Sequence, residues 1–471
     1  MLEPFLQTLD RFARERVDAL GIDAAGSIPA AILTDLAELG VFGLPIPTEY
    51  GGAGVSLAGV CAVVERLARH DRSIAVSCGL HMGLGTRGLV AFGAPSLKDR
   101  FLPELASGKR IGAFATTEPS AGSDLGGIRT RARPAGARLR VDGEKIYVTN
   151  GGFAGLVTLT VSTPDLGGAR RGHSLIVLEP DAPGVEVGPE EDKLGLRGSS
   201  TVSLRFDGVE VEPTQVVGEP GAGMRQLTHV LTWGRTIMAA GCVGAARAAL
   251  ARAEDHVRTR HQFGKPLAAQ PVVKAQLTEM ASSLLAAEAI VTRAAETDEA
   301  DRLRLSLAAK VFASEASGRI TDRAVQLFGG LGFIEETGIP LLLRDVRITR
   351  IFEGANDVLL THLGAIETAD PFAAPREAWS VETRLAELSA EIRSQHGLQI
   401  LRRPLELHRL GRIALLAEVT SAVRSAERSE GAARIAARCW QQSAEAQTDH
   451  LSRTAPEVGP ELVALLRRAT A

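Results

Sequence analysis

The spacing of apolar residues changes period twice along this chain, and that order is the strongest constraint on what it can fold into. Up to about Lys109 the spacing is helical: Ile32, Leu33, Leu36 and Leu39 fall at i, i+1, i+4 and i+7, and Gly40 stands where a helix C-cap belongs. A Gly-rich turn at 50–54 leads into a second helix, 59–69. From about Ile111 to Val217 the period is two: Val157, Leu159 and Val161 alternate with Thr158 and Thr160, and 174–178 is a short apolar strand. Two Asp-Gly pairs, Asp142-Gly143 and Asp207-Gly208, predict hairpin turns there. From Gly223 to about Thr368 the spacing is helical again, with long candidates at 224–260, 272–296 and 304–328, the last halted by Gly329-Gly330. Long helices on short loops predict an antiparallel bundle.

Blocks in the order helices, strands, helices exclude a doubly wound nucleotide fold, which needs strands and helices in alternation. No GxGxxG follows a strand and no GxxxxGK[ST] occurs. The sequence therefore predicts an α+β fold, mainly α, with domains at 1–110, 111–222 and 223–369. A helical extension, 370–471, follows a Pro-containing stretch with Asp370-Pro371 and Ala374-Pro375. Within it, 381–393 and 405–424 mix Leu, Ile and Val with Arg and Glu, a pattern that fits membrane-surface binding or packing on its own domain. Packing, in place of a second dimer, is the preferred reading.

A net charge of −3 gives no sign of a nucleic-acid partner. Cys61, Cys78, Cys242 and Cys439 form no CxxC pair and no metal-ligand spacing, so they read as buried free thiols in a reducing compartment. The first 17 residues form an amphipathic pattern without the apolar core of a signal peptide, and no apolar run is long enough to cross a bilayer. A cytoplasmic protein is expected.

Five strings could carry chemistry. Residues 114–124 (FATTEPSAGSD) form a hydroxyl-rich loop able to offer N–H and hydroxyl groups to a polar ring or a pyrophosphate; alone it reads as a polar turn. In 145–151 (KIYVTNG), strand alternation sets Tyr147 and Thr149 on one face, an aromatic plane beside a hydroxyl. In 260–267 (RHQFGKPL), Arg260 fits a phosphate or simply the end of a helix. The glycines of 326–333 (QLFGGLGF) permit close backbone approach. In 347–357 (RITRIFEGAND), Glu353 lies in a loop just before a helix; alone it reads as surface capping.

In this order and at these separations the five strings closely resemble the acyl-CoA dehydrogenase family, over about residues 1–368. Residues 42–54 and 101–109 are also similar to it. The wording around Glu353 is most similar to the very-long-chain branch, which also carries a C-terminal helical extension. The resemblance implies an N-terminal helical domain, a central β-barrel-like domain and a C-terminal four-helix bundle, with FAD between them. Phe114, Thr116, Thr117, Gly122 and Ser123 would line the flavin and its pyrophosphate. Tyr147, where the family often has Trp, would lie against the isoalloxazine, and Thr149 would reach toward flavin N5. Arg260, Gln262, Phe263, Gln326 and Gly330 would contact the FAD of a neighbouring subunit, making a dimer the minimum unit. Ser123, Arg235 and Gly354 would contact the substrate.

The implied reaction is α,β-dehydrogenation of an acyl thioester such as acyl-CoA to the trans-2-enoyl thioester. Glu353 would take the α proton as hydride leaves for flavin N5, and electrons would pass to electron-transfer flavoprotein. Gly234, next to Arg235, removes the second position at which some members carry the base. Two departures stand out: Ala355 replaces a usual Thr or Ser, and Thr232 replaces a usual Asp or Asn near the thioester carrier. The second keeps open a carrier-protein-bound acyl group. A flavin oxidase and a non-catalytic scaffold or assembly factor are the other rivals.

Overall fold

Seven α-helices precede the first strand in the computed structural model, which describes residues 2–164, 172–369, 380–426 and 432–453. They are α1 (Leu2–Arg16), α2 (Ala19–Ala25), α3 (Ala30–Glu38), α4 (Leu57–Ala68), α5 (Arg72–Leu80), α6 (Thr86–Phe92) and α7 (Pro95–Ala106). Asp18, Ser56 and Asp71 start α2, α4 and α5 by accepting the N–H groups of Gly21, Gly59 and Ile74. Gly40 follows α3 at φ +78°, the left-handed stop its position predicts. Between α5 and α6 the chain widens into a π turn, His81–Gly85.

The strands are β1 (Gly112–Ala115), β2 (Arg131–Ala135), β3 (Arg138–Thr149), β4 (Leu156–Ser162), β5 (His173–Leu178), β6 (Val185–Val187), β7 (Thr201–Val211) and β8 (Val216–Val217). They make one eight-stranded sheet in the order β6-β7-β3-β2-β4-β5-β8, with β1 parallel to β4. β4 is buried on both faces. Val157 and Leu159 join one apolar core with Ile176, Leu204 and Phe206, while Leu156 joins Phe101, Leu175 and Val230 in a second that ties helices to the sheet.

The Asp-Gly pairs are not hairpin turns. Both lie inside long strands, where β3 shifts register against β7 between Val141 and Gly143, and Gly208 N–H donates to Asp142 Oδ1 at 2.9 Å. Gly143 (φ +147°) and Gly208 (φ +64°) supply the backbone freedom of a bulge between strands distant in sequence. The turn joining β2 to β3 falls at Gly136 instead, at φ +64°.

The third block holds α8 (Gly223–Thr259), the short hairpin β9 (His261–Gln262) and β10 (Lys265–Pro266), then α9 (Pro271–Glu296), α10 (Glu299–Phe328) and α11 (Ile339–Arg347). α10 begins five residues before its expected start. Buried alanines line the long helices (Ala239, Ala246 and Ala253 on α8, Ala287 and Ala294 on α9, Ala309 and Ala313 on α10), so the helices approach closely. Cys61, Cys78 and Cys242 are buried free thiols, but Cys439 is only partly covered.

The chain divides into two compact units, Met1–Ala355 and Asn356–Ala471. The second holds α12 (Asn356–Ala369), α13 (Ser380–His396), α14 (Pro404–Ala426) and α15 (Ala432–Arg453). α12, read from sequence as part of the 223–369 block, groups with the extension because it meets α14 glycine to glycine. A Cβ on Gly364 would stand 1.9 Å from the carbonyl oxygen of Leu407, and one on Gly411 1.9 Å from that of Leu360. The apolar side of α14 (Leu407, Leu410, Ile413, Val419, Val423) is buried in this unit. The Pro-containing stretch at 370–375 lies outside the described residues. Among those described, no helix is long and apolar enough to cross a membrane.

Candidate active site

Glu353 follows a tight turn, Ile348–Arg350, and adopts φ +56°; Gly354 follows at φ +103°. A left-handed glutamate is strained and persists only where its surroundings over-determine it. Two buried cations do so here. Arg235 Nε of α8 donates to the Glu353 carbonyl at 3.0 Å, and Lys310 Nζ of α10 donates to the Gly354 carbonyl at 2.6 Å. The preceding helix is pinned as well: Leu196 N–H donates to Asp345 Oδ1 at 2.6 Å, and Arg344 grips Asp23 at 2.7 Å.

The carboxyl itself is left alone. Glu353 Oε2 is buried without a hydrogen-bond partner. It lies over Gly234, where a Cβ would stand 2.9 Å from Oε2 and 2.3 Å from Leu84 Cδ2 of the π turn. The missing side chain at 234 is therefore what makes room for both. Burial pushes the Glu353 carboxyl up to about 7, and the charges of Arg235 and Lys310 offset that only in part. A base poised near neutral pH has this environment. Arg235, expected against the substrate, is buried beside Glu353 with its Nε on that residue's backbone.

The 114–124 string opens from β1. Phe114 is buried in the same apolar cluster as Leu84 and Leu231. Thr116 and Thr117 then cross to β3: Lys145 Nζ donates to the Thr116 carbonyl at 3.0 Å, and Ile146 N–H to that of Thr117 at 2.9 Å. Beneath them Lys145 Nζ and Glu118 Oε1 meet at 2.7 Å, fully out of water, and Glu118 also accepts the N–H groups of Arg129 and Thr130. Burial alone would raise Glu118, but Lys145 and those N–H donors outweigh it and hold the carboxyl below its ordinary range. Gly122 and Ser123 ride exposed above this anchor.

Tyr147 does not follow simple alternation. Lys145 pairs with Leu204 but Val148 with Val202, so a bulge at 146–147 reverses the buried phase of β3. Tyr147 stands in that bulge at φ +57° and 63% exposed, while Thr149 is half-buried opposite Thr201. An exposed aromatic on a strained backbone, the open Gly122–Ser123 loop, and a buried Thr116 Oγ1 without a partner fit a flat heteroaromatic cofactor bearing phosphates.

Arg260, Gln262, Phe263, Gln326 and Gly330 are all exposed at the end where α8 and α10 finish, joined there by His256 stacked on Phe328 at 4.2 Å. Phe263 (φ +55°, 92% exposed) and Gly264 (φ +76°) form the hairpin tip. At 1.5 Å per residue, Arg260 lies roughly 37 Å along α8 from Arg235. One chain cannot bring both ends to one flavin ring.

Sequence reasoning missed three side chains. Glu118 and Lys145 stood inside the quoted strings but were given no role. Lys310 had a local signal, a lone charge amid Ala308, Ala309, Val311 and Phe312.

Models of the N-terminal, middle and C-terminal domains of acyl-CoA dehydrogenases match residues 2–109, 113–209 and 221–366. The human mitochondrial very long-chain specific acyl-CoA dehydrogenase is 35% identical over 367 residues, 76% of this chain and 56% of that protein. The chain thus spans little more than half the length of that relative. An acyl-CoA dehydrogenase of Bacillus subtilis (strain 168) is 35% identical over 74% of this chain and 92% of its own. The crystal structure of a Bacillus anthracis acyl-CoA dehydrogenase complexed with FAD aligns with a TM-score of 0.88 at 25% identity, covering 99% of this chain and 90% of that one. Three consecutive domain matches and near full-length likeness to the Bacillus subtilis enzyme establish that this chain belongs to the acyl-CoA dehydrogenase family, whose members are FAD-dependent oxidoreductases.

Proposed function

We propose that this chain dehydrogenates an acyl-CoA at its α and β carbons, with Glu353 removing the α proton. The observation that carries this reading is a glutamate whose backbone is clamped by Arg235 and Lys310 while its buried Oε2 has no partner. Clamping fixes where the base stands, and the lack of a partner leaves it free to take a proton. Leu84 and Oε2 of Glu353 both crowd the bare Gly234, and burial there goes with the raised pKa of the carboxyl.

Thr116, Thr117, Gly122, Ser123, Tyr147 and Thr149 would hold FAD, with Phe114 packing behind them. When bound, FAD supplies the acceptor for the β hydride. Arg260, Gln262, Phe263, Gln326 and Gly330 would serve the cofactor of a second subunit, since α8 holds them too far from its own base. That makes a homodimer the smallest working form, and electron-transfer flavoprotein the acceptor that reoxidises it.

An anaerobic titration of the purified flavoprotein with acyl-CoAs from short to very long tests this. Bleaching of the flavin band by one length class is the expected result. A flavin that acyl-CoAs leave coloured but a carrier-protein thioester bleaches would move the substrate to the carrier, and a flavin that neither bleaches would sink the proposed reaction.

A further inference from the structure

The first unit contains a fully buried lysine whose ammonium stands beside the loop of Glu353. Lys310 is fully buried on α10, and its ammonium donates to the Gly354 carbonyl at 2.6 Å. Among the charged and titratable groups that act on it are Glu353 of the loop, Arg235 and Cys242 of α8, and Glu315 of its own helix. Arg235 and Lys310 are in turn the charges that act on Glu353. The two cations come from different helices and bind successive carbonyls, 353 and 354, at the two consecutive residues with positive φ. A carbonyl needs only a neutral donor, and burying an ammonium to provide one is costly. A cation at that place does something more: it draws a nearby carboxyl toward its ionised form without occupying the oxygen that must accept the proton.

We propose that Lys310 is a positioning residue for the base: its ammonium holds the Gly354 carbonyl, pairs with Arg235 in fixing the left-handed Glu353, and sets the pH above which Glu353 works. The proposal rests on the reading of Glu353 as the base.

The test is the pH profile of kcat/KM for palmitoyl-CoA with an artificial electron acceptor, in the flavin-loaded parent and its Lys310→Met variant. Removing the charge should move the acidic limb to higher pH by about one unit, with the largest loss below neutral pH and recovery in alkali. A limb that stays put while turnover falls would reduce Lys310 to a structural prop and overturn the proposal. Should Lys310→Met fail to fold, Lys310→Gln keeps a donor for the Gly354 carbonyl but lacks the charge. Its limb must shift in the same direction, and an unshifted limb again overturns the proposal. Glu353→Gln run alongside separates the two claims: turnover retained there refutes Glu353 as the base, whatever Lys310 does.

Discussion

Lys145 and Glu118 are buried together beside the sheet with their charged atoms 2.7 Å apart. Lys310 and Glu353 are neighbours among the helices, but there the ammonium bonds the carbonyl of Gly354 and Oε2 of the glutamate bonds nothing. The same two residue types are thus set to opposite ends. In the first pair the lysine and two backbone N–H groups hold the carboxyl ionised and below its ordinary range. In the second, burial dominates and the carboxyl rises to about 7. Whether the hydrogen-bond donors fall on the carboxylate or on the neighbouring carbonyl separates a structural rivet from the proposed base.

The comparison breaks first at Glu353. Glu353→Gln keeps the shape but cannot accept the proton, so flavin bleaching by acyl-CoA should slow by about 10²–10⁴-fold in stopped-flow measurement. The matching cut in the first pair is Glu118→Ala, which strands a buried ammonium. It should cost about 3–5 kcal/mol of stability in denaturant unfolding at neutral pH, and a loss under about 1 kcal/mol would contradict the buried pair.

The pH dependence of stability sharpens the contrast, since the two carboxyls have opposite signs. Glu353 has a raised pKa in the folded protein, so its contribution is present below about 4.5 and is lost as pH rises through about 7. The rise is worth at most about 3 kcal/mol. Glu353→Gln should therefore unfold at higher temperature than the parent at pH 8, with the gap closing by pH 5. Glu118, held low, contributes above its ordinary range, and that contribution is lost as the pH falls through its depressed value. Melting curves at several pH values distinguish the two, and a Glu353→Gln gap that does not vary with pH would remove the raised carboxyl from the account.

Much of this molecule was legible in the sequence, for reasons that stay local. α8 and α9 begin within a residue of their expected starts because an amphipathic period is written into consecutive residues. The Glu353-Gly354 loop was found as a string, and the structure gives it an environment that fits its assigned task. The misreadings share a cause. Asp142-Gly143 reads as a turn only while its partner strand is unknown, and β7 joins β3 from more than fifty residues away. The bulge that leaves Tyr147 exposed on a left-handed backbone was unreadable for the same reason, since it too is made against β7.

The sequence by itself determined the order of helical and stranded blocks, the family strings and the position of the glutamate proposed as the base, 353. Periodicity and backbone propensity are properties of neighbouring residues. Only the tertiary structure decided which charges are buried and what each one bonds. Those outcomes depend on contacts between residues far apart in the chain: 27 residues separate Lys145 from Glu118, and 44 separate Lys310 from Gly354. A lysine's helix or strand gives no sign of whether it will meet a carboxylate or a carbonyl. Burial and geometry settle that, because desolvation and hydrogen bonding act through space and not along the sequence.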